Sequence, residues 1–188
     1  MDRPQEPLDA LQSLHAVEAA CWAEMANAAA SRGHAWRTMT LATTDGREAF
    51  ARSVILREVD AEARELLFFT DSRSTKVRHI AEHPRGTLLL WSAQLGWQLR
   101  LRVTLEVETA GLAVSSRWAQ LKLTPAAQDY LSPAAPGTPL CPPSPERASR
   151  GHFALVHAHV RALDWLELQP EGQRRACFDA LGGKWLQP

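Results

Sequence analysis

Arg52 is the first residue whose setting calls for chemistry. It lies on the stretch AFARSVILR, where alternation puts it on one face with Phe50, Val54 and Leu56. A charge on an apolar strand face is costly unless an anion meets it. A buried ion pair with an Asp or Glu answers that need as well as a ligand does. The second candidate is the run Thr70-Asp71-Ser72-Arg73-Ser74-Thr75-Lys76, where a strand runs out and a helix begins. Free backbone N–H groups at a helix start, with hydroxyls and cations beside them, make an anion site. Cations in a first turn oppose the helix dipole and make better sense with a phosphate there. Ordinary capping by Asp71 or Ser72, with solvated cations, is the alternative. The two features strengthen each other, because a hairpin pairing could bring Arg52 and Lys76 to one phosphate.

Other candidates are weaker. Gln98 and Arg100 share the polar side of the run Trp97 to Val107, as half of any two-layer sheet should. His157 and His159 share a strand face with Cα atoms roughly 6.6 Å apart. No third ligand stands near them in sequence, so they read as polar-face histidines and no metal is expected. Cys177 lacks a companion His signature and reads as a packing residue. No G-x-G-x-x-G, Walker loop or G-x-S-x-G occurs.

The elements that must position these residues follow from periodicity. Residues 8–32 read as a helix, with Leu11, Leu14, Val17, Cys21 and Met25 at steps of three and four and Gly33 as the stop. From Ala35 the period changes to two, and the strand ends at the turn signal Asp45-Gly46. The return strand runs from Arg47 to about Arg57, and Glu65 to Thr70 is a third strand. Ser72 to His83 reads as a short helix with Val77, Ile80 and Ala81 as its apolar stripe. Thr87–Trp91 and Trp97–Val107 are strands, the latter with nearly perfect alternation. Ala113 to Leu123 reads as a helix. Positions 125–145 hold seven prolines and read as a semi-rigid loop. Phe153–Leu168 is a long strand or two, and Arg174–Phe178 a last one. Six or seven strands joined mainly by hairpins, without βαβ alternation, predict a single antiparallel barrel with helical decorations.

Composition narrows the function classes. The 188 residues suit one domain, and 21 Lys+Arg balance 21 Asp+Glu, which argues against a nucleic-acid binder. No apolar run approaches the roughly 20 residues that span a bilayer, and the first residues do not read as a secretory signal. Three cysteines without C-x-x-C spacing argue against a disulfide framework and make a reducing cytoplasm the default. Seven tryptophans against one tyrosine suit a deep core, an oligomer interface or a cofactor pocket.

Taken in order, LATTDGREAFARSVILREVD, LLFFTDSRSTKVRHIAEHPRGTLLLW and GWQLRLRV resemble the pyridoxamine 5′-phosphate oxidase-like, FMN-binding split-barrel family, across about residues 36–107. A weaker likeness follows in DWLELQPEGQRRACF and KWLQP. The resemblance implies a mainly β fold with helices, built as a six-stranded antiparallel split β-barrel. One domain would fill 1–188, with helix 8–32, barrel core about 35–110, the proline-rich loop 125–145 and C-terminal strands about 152–188. It implies a homodimer with FMN at the interface and a small-molecule substrate. The R-x-V-x-L-(R/K) strand carries over to Arg52, Ser53, Val54, Ile55, Leu56 and Arg57, as contacts to flavin phosphate and ring edge. Phe69 and Thr70 match the aromatic-Thr pair, and Ser74, Thr75 and Lys76 the phosphate contacts at the helix start. Gln98, with Arg100 beside it, would reach the flavin of the other subunit, and Trp165 matches the C-terminal tryptophan.

The likeness has gaps. Cys177 stands where the family often has an arginine, and Val103 where a glycine is common. The Tyr…Arg…Ser set and R-x-H that hold pyridoxal phosphate in the vitamin B6 oxidases have no counterpart in VSSRWAQLKLTPAAQDYLSP or QRRACF. The expectation is an FMN-dependent oxidoreductase of unassigned substrate. The alternatives are a genuine pyridoxamine/pyridoxine phosphate oxidase, or a non-enzymatic binder of flavin, deazaflavin or haem.

Overall fold

The computed structural model describes residues 11–139, 150–170 and 172–188. Residues 8–10 of the expected first helix, Cys141 and the end of the proline-rich segment lie outside them. Helix α1 (Leu14–Ala30) starts where Ser13 accepts a hydrogen bond from the Ala16 N–H, later than the apolar pattern suggests. Val17, Cys21, Trp22, Met25 and Ala28 form its buried side.

Eight antiparallel strands form one sheet: β1 (Thr38–Thr44), β2 (Ala49–Asp60), β3 (Glu65–Asp71), β4 (Arg85–Ser92), β5 (Trp97–Glu108), β6 (Phe153–Gln169), β7 (Gly172–Asp179) and β8 (Gly182–Leu186). Their order is β3-β2-β1-β4-β5-β6-β7-β8, and β3 also pairs with β6. That pairing closes six strands into a barrel, with β7 and β8 as an extension. The expected fold class therefore holds.

Several local expectations need correction. The Asp45-Gly46 signal does make a hairpin, but the loop has four residues and β2 begins at Ala49, since Thr44 pairs with Ala49. The Asp45 carboxylate accepts from the N–H groups of Glu48 and Arg47, which holds its pKa below the usual range. Gly46 has φ +88°, and a Cβ there would come within 2.8 Å of His83 Nε2. β6 is one strand of 17 residues with a bulge at Arg161: Arg102 pairs with Ala162, yet Val103 pairs with Val160. Periodicity missed β8 because Gly182 and Gly183 carry no alternation. A Cβ on Gly183 would lie 2.8 Å from the Phe178 ring, so close packing requires the glycine.

Two apolar clusters organise the interior. Alternate residues of β5 (Trp97, Leu99, Leu101, Val103 and Leu105) point into the barrel, with Met39, Leu56, Phe68 and Trp165. Helix α3 (Leu112–Leu121) covers the outside of β3 and β6 through Val114, Trp118 and Leu121, which meet Leu67, Phe153 and Leu155. Helix α2 (Thr75–Glu82) caps one end of the barrel. Its buried side is His79 and Ile80; Ala81, expected in that stripe, is exposed.

Candidate functional site

The barrel end beneath α2 gathers hydroxyls and cations from three elements. Thr70 stands one residue before the end of β3, and the turn that follows delivers Ser74 and then Lys76 in the first turn of α2. Lys76 Nζ donates to Thr70 Oγ1 at 3.0 Å and to Ser74 Oγ at 3.2 Å, and the two hydroxyls lie 3.3 Å apart. Ser74 occupies the helix cap, but its side chain makes no capping bond, so its hydroxyl faces this cluster instead. Arg52 arrives from β2, donating through Nη1 to Leu41 O at 3.1 Å and Thr43 Oγ1 at 2.7 Å.

Electrostatics separate these two cations from the arginines that hold carboxylates. Among the described residues, neither Arg52 nor Lys76 has a carboxylate within 4.0 Å, so the ion-pair reading of Arg52 is not what the structure shows. Burial first, and then repulsion from Arg52, push the Lys76 ammonium below its ordinary pKa, and Asp71 only partly opposes this. Burial likewise lowers Arg52. Asp71 is spent on Arg73, which it holds at 2.7 Å. Burial would raise the Asp71 pKa, but the bonds from Arg73 outweigh it and leave the carboxyl lowered. Arg73 itself turns away from the cluster and donates to the carbonyls of Ser132, Pro133 and Ala134, docking the proline-rich segment. Two partly buried cations and two hydroxyls without a carboxylate suit a dianionic phosphate.

The remaining candidates divide by face. Val54 and Leu56 point into the barrel core, so their side chains are not ligand contacts and only their backbone is on offer. Trp165 is corrected more strongly: it is fully buried against Trp97 and Trp185, with Arg174 over its ring. Ser53 and Ile55 face outward opposite Thr40 and Thr38. Arg57 sits at a bulge in β2, its guanidinium 5.2 Å above the Phe69 ring, and its buried Nε has no partner among the described residues. Thr75 is exposed at the helix start. Gln98 is half-buried beside the exposed Trp91. Arg100 is taken by Asp164, which also holds Arg175 at 2.8 Å. Arg64 bonds Glu18 at 2.6 Å and covers Trp22.

Sequence reasoning missed Thr43 and His79. His79 is 1% exposed, and its Nδ1 lies 3.1 Å from Thr43 Oγ1. Only the i, i+3 spacing from Lys76 hinted at a shared side of α2. The histidines of β6 lie elsewhere, on the outer face. His157 bonds Glu65 at 2.8 Å and Glu108 at 3.2 Å, and His159 bonds Glu65 at 3.2 Å. Burial alone would lower the His157 pKa, but the two carboxylates outweigh it and raise it. Among the described residues no group of three or more His, Cys, Asp or Glu is disposed to hold a metal.

Residues 18–109 match the family model described as the FMN-binding domain of pyridoxamine 5′-phosphate oxidase. The likeness to that family is carried by this domain, just under half of the chain. FMN is the cofactor of the domain, and the cationic, hydroxyl-rich barrel end fits its single terminal phosphate. Similar curated proteins include the pyridoxine/pyridoxamine 5′-phosphate oxidase of Thermosynechococcus vestitus, 47% identical over 70 residues, or 36% of this chain and 32% of that protein. The enzyme of the same name from Burkholderia lata is 41% identical over 75 residues, covering 39% of this chain and 34% of that one. The matched stretch thus spans about a third of the length of these relatives. Two solved structures share the fold. A pyridoxamine 5′-phosphate oxidase-related, FMN binding protein from Nostoc punctiforme has a TM-score of 0.73 at 22% identity, covering 90% of this chain and 96% of its own. PhzG from Burkholderia lata has a TM-score of 0.70 at 18% identity, covering 100% and 98%.

The lowered Lys76 gives a stability expectation. Between its folded and unfolded pKa values the unfolded chain binds more protons, so the apoprotein gains stability as pH rises through that window. At neutral pH Lys76 is a charged group held in a partly desolvated place. Lys76→Met should leave the apoprotein melting temperature unchanged or higher at pH 7 while weakening phosphate binding. A clear fall in melting temperature, measured by calorimetry, would show instead that Lys76 is paired for structure.

Proposed function

We propose that this chain is a homodimeric FMN-dependent oxidoreductase in which Arg52, Lys76, Thr70 and Ser74 hold the flavin phosphate. The observation that carries this reading is the pair of cations at the barrel end that, among the described residues, no carboxylate neutralises. Thr75 and Arg57 flank the same region, and the outward residues Ser53, Ile55 and Phe69 offer a surface for the ring system. Bound FMN supplies hydride acceptance and return of the electrons to a second acceptor. The protein's part is to pin the phosphate, orient the ring edge and shield it from water. Titration of the apoprotein with FMN and riboflavin tests the site. Arg52→Ala should weaken FMN about ten- to a hundredfold, since a charge-assisted bond contributes roughly 1.5–3 kcal/mol. Arg47→Ala, on the exposed hairpin loop, should change nothing. Equal affinity of the wild type for riboflavin and FMN would remove the phosphate site.

A dimer is part of the proposal. Leu89 and Trp91 of β4 are 37% and 45% exposed, and Gln98 and Arg100 lie next to them on β5. Apolar side chains beside a half-buried glutamine suit a surface covered by a second copy. This is also where Gln98 could reach the partner's flavin. Trp91→Glu should yield a monomer by light scattering with much weaker FMN binding. A wild-type monomer that retains flavin would refute the arrangement.

Vitamin B6 phosphates should be poor substrates. They need a second phosphate site beside the flavin, and the arginines nearest in sequence to that role already hold carboxylates. Arg117 clamps Glu58 at 2.7 and 2.8 Å, Arg174 holds Glu167 at 2.6 Å, and Arg175 holds Asp164. Freeing one of them would strand its carboxylate. Steady-state oxidation of pyridoxamine and pyridoxine phosphates by flavin-loaded protein is the check. A kcat/KM of about 10⁴ M⁻¹s⁻¹ or more would make the chain a genuine B6 oxidase instead. We also assign it to a reducing, cytoplasmic setting, supported by free, buried Cys21 and Cys177 and by the lack, among the described residues, of a helix able to cross a membrane.

A further inference from the structure

Thr43 and His79 are buried polar side chains at the barrel end to which the phosphate site gives no task; they are 4% and 1% exposed. We propose that His79 is a positioning residue for the flavin phosphate, setting through the Thr43 hydroxyl the orientation in which Arg52 meets that phosphate. The inference rests on the phosphate site proposed above.

The hydrogen-bond bookkeeping is directional. Arginine can only donate. Arg52 uses Nη1 for both Leu41 O and Thr43 Oγ1, at 3.1 and 2.7 Å. Its Nε and Nη2 donors have no partner among the described residues and are left for an anion. Thr43 Oγ1 accepts from Arg52, so its own proton is available to His79 Nδ1, 3.1 Å away. The imidazole then carries its proton on Nε2. The Phe50 ring lies 4.7 Å from the imidazole at 51° and restricts its rotation. Phe50 pairs with Thr43 across the β1–β2 ladder, so both restraints on His79 come from one hairpin.

The arrangement links two phosphate cations carried by different elements. Lys76 and His79 stand three residues apart on α2, while Arg52 stands on β2. The path from Arg52 through Thr43 to His79 ties the strand to the helix, so the guanidinium fork and the ammonium are held in fixed relation. A free arginine side chain loses rotamer freedom when it is ordered. Ordering it before the ligand arrives removes part of that loss from binding. The effect is confined to the phosphate and should not be felt by a flavin that lacks one.

The experiment is titration of apoprotein with FMN and riboflavin, followed by flavin fluorescence, for wild type, Thr43→Val, His79→Leu, His79→Asn and the Thr43→Val/His79→Leu double variant. His79→Leu and Thr43→Val should each weaken FMN about three- to tenfold, the range of one hydrogen bond, with riboflavin unchanged. The double variant should lose no more than either single one, because both break the same path. His79→Asn keeps an acceptor near the Nδ1 position and should restore FMN affinity to within about twofold of wild type. Equal weakening of FMN and riboflavin, additive losses in the double variant, or unchanged FMN affinity in Thr43→Val would each overturn the positioning role. Should His79→Leu fail to fold, Thr43→Val and His79→Asn decide the matter. Wild type that binds riboflavin as tightly as FMN marks failure of the phosphate site itself. A preference for FMN over riboflavin that both single variants keep at its full wild-type ratio marks failure of the relay alone.

Discussion

Closure of the barrel by β3 is the constraint on which the site depends. β3 pairs with β2 on one side and with β6 on the other, the latter from Glu65↔His159 to Asp71↔Phe153. That second pairing satisfies an edge that would otherwise be free. It also sets where β3 ends, and hence where Thr70 stands when the chain turns into α2. Ser72 N donates to His152 O at 2.7 Å immediately beyond the last paired residues, so the turn is tied to the start of β6. The hydroxyl cluster and the first turn of α2 follow from that anchored exit.

Against this frame, cations of the chain divide by the company they keep. Arg100 and Arg175 share Asp164, Arg117 holds Glu58, and Arg174 holds the buried Glu167, which also accepts from Trp97 Nε1 at 2.9 Å. These pairs join β5, β6 and β7 to one another, or α3 to β2, and their charge is answered within the fold. Among the described residues, Arg52 and Lys76 meet hydroxyls and a carbonyl rather than a carboxylate, and of the two Lys76 is the more deeply placed. Such an arrangement is unfavourable in the apoprotein, as the lowered pKa of Lys76 records. In the phosphate site proposed here, an incoming dianion would offset that penalty, and the energy would appear as affinity for a phosphorylated flavin.

The proline-rich segment is docked by the same stretch of chain. Arg73, held by Asp71, donates to three successive carbonyls at 132–134, while Tyr130 packs edge-on against Phe153. The turn that positions Ser74 and Lys76 therefore also fixes the loop at 131–134. A change in either would be felt by the other.

Periodicity and turn chemistry alone determined much of this protein. Alternation along Trp97–Val107, the Asp45-Gly46 turn and the S-x-K at a helix start are local signals, and each lands in the element it implied. The isolation of Arg52 on an apolar face was also legible, because alternation is a property of one strand. What those patterns could not supply is pairing at a distance. The choice between an ion pair and a ligand for Arg52 depends on which side chains the fold brings within 4.0 Å, and alternation does not say. Trp165 matched a ligand position in sequence, yet closure of the sheet turns it inward. Arg73 looked like a site cation until Asp71 and the carbonyls at 132–134 claimed it. His79 was invisible because its partner, Thr43, is 36 residues away. Strand register, bulges and helix docking are set by packing of the whole core, so the tertiary structure alone decided which of the legible residues meet.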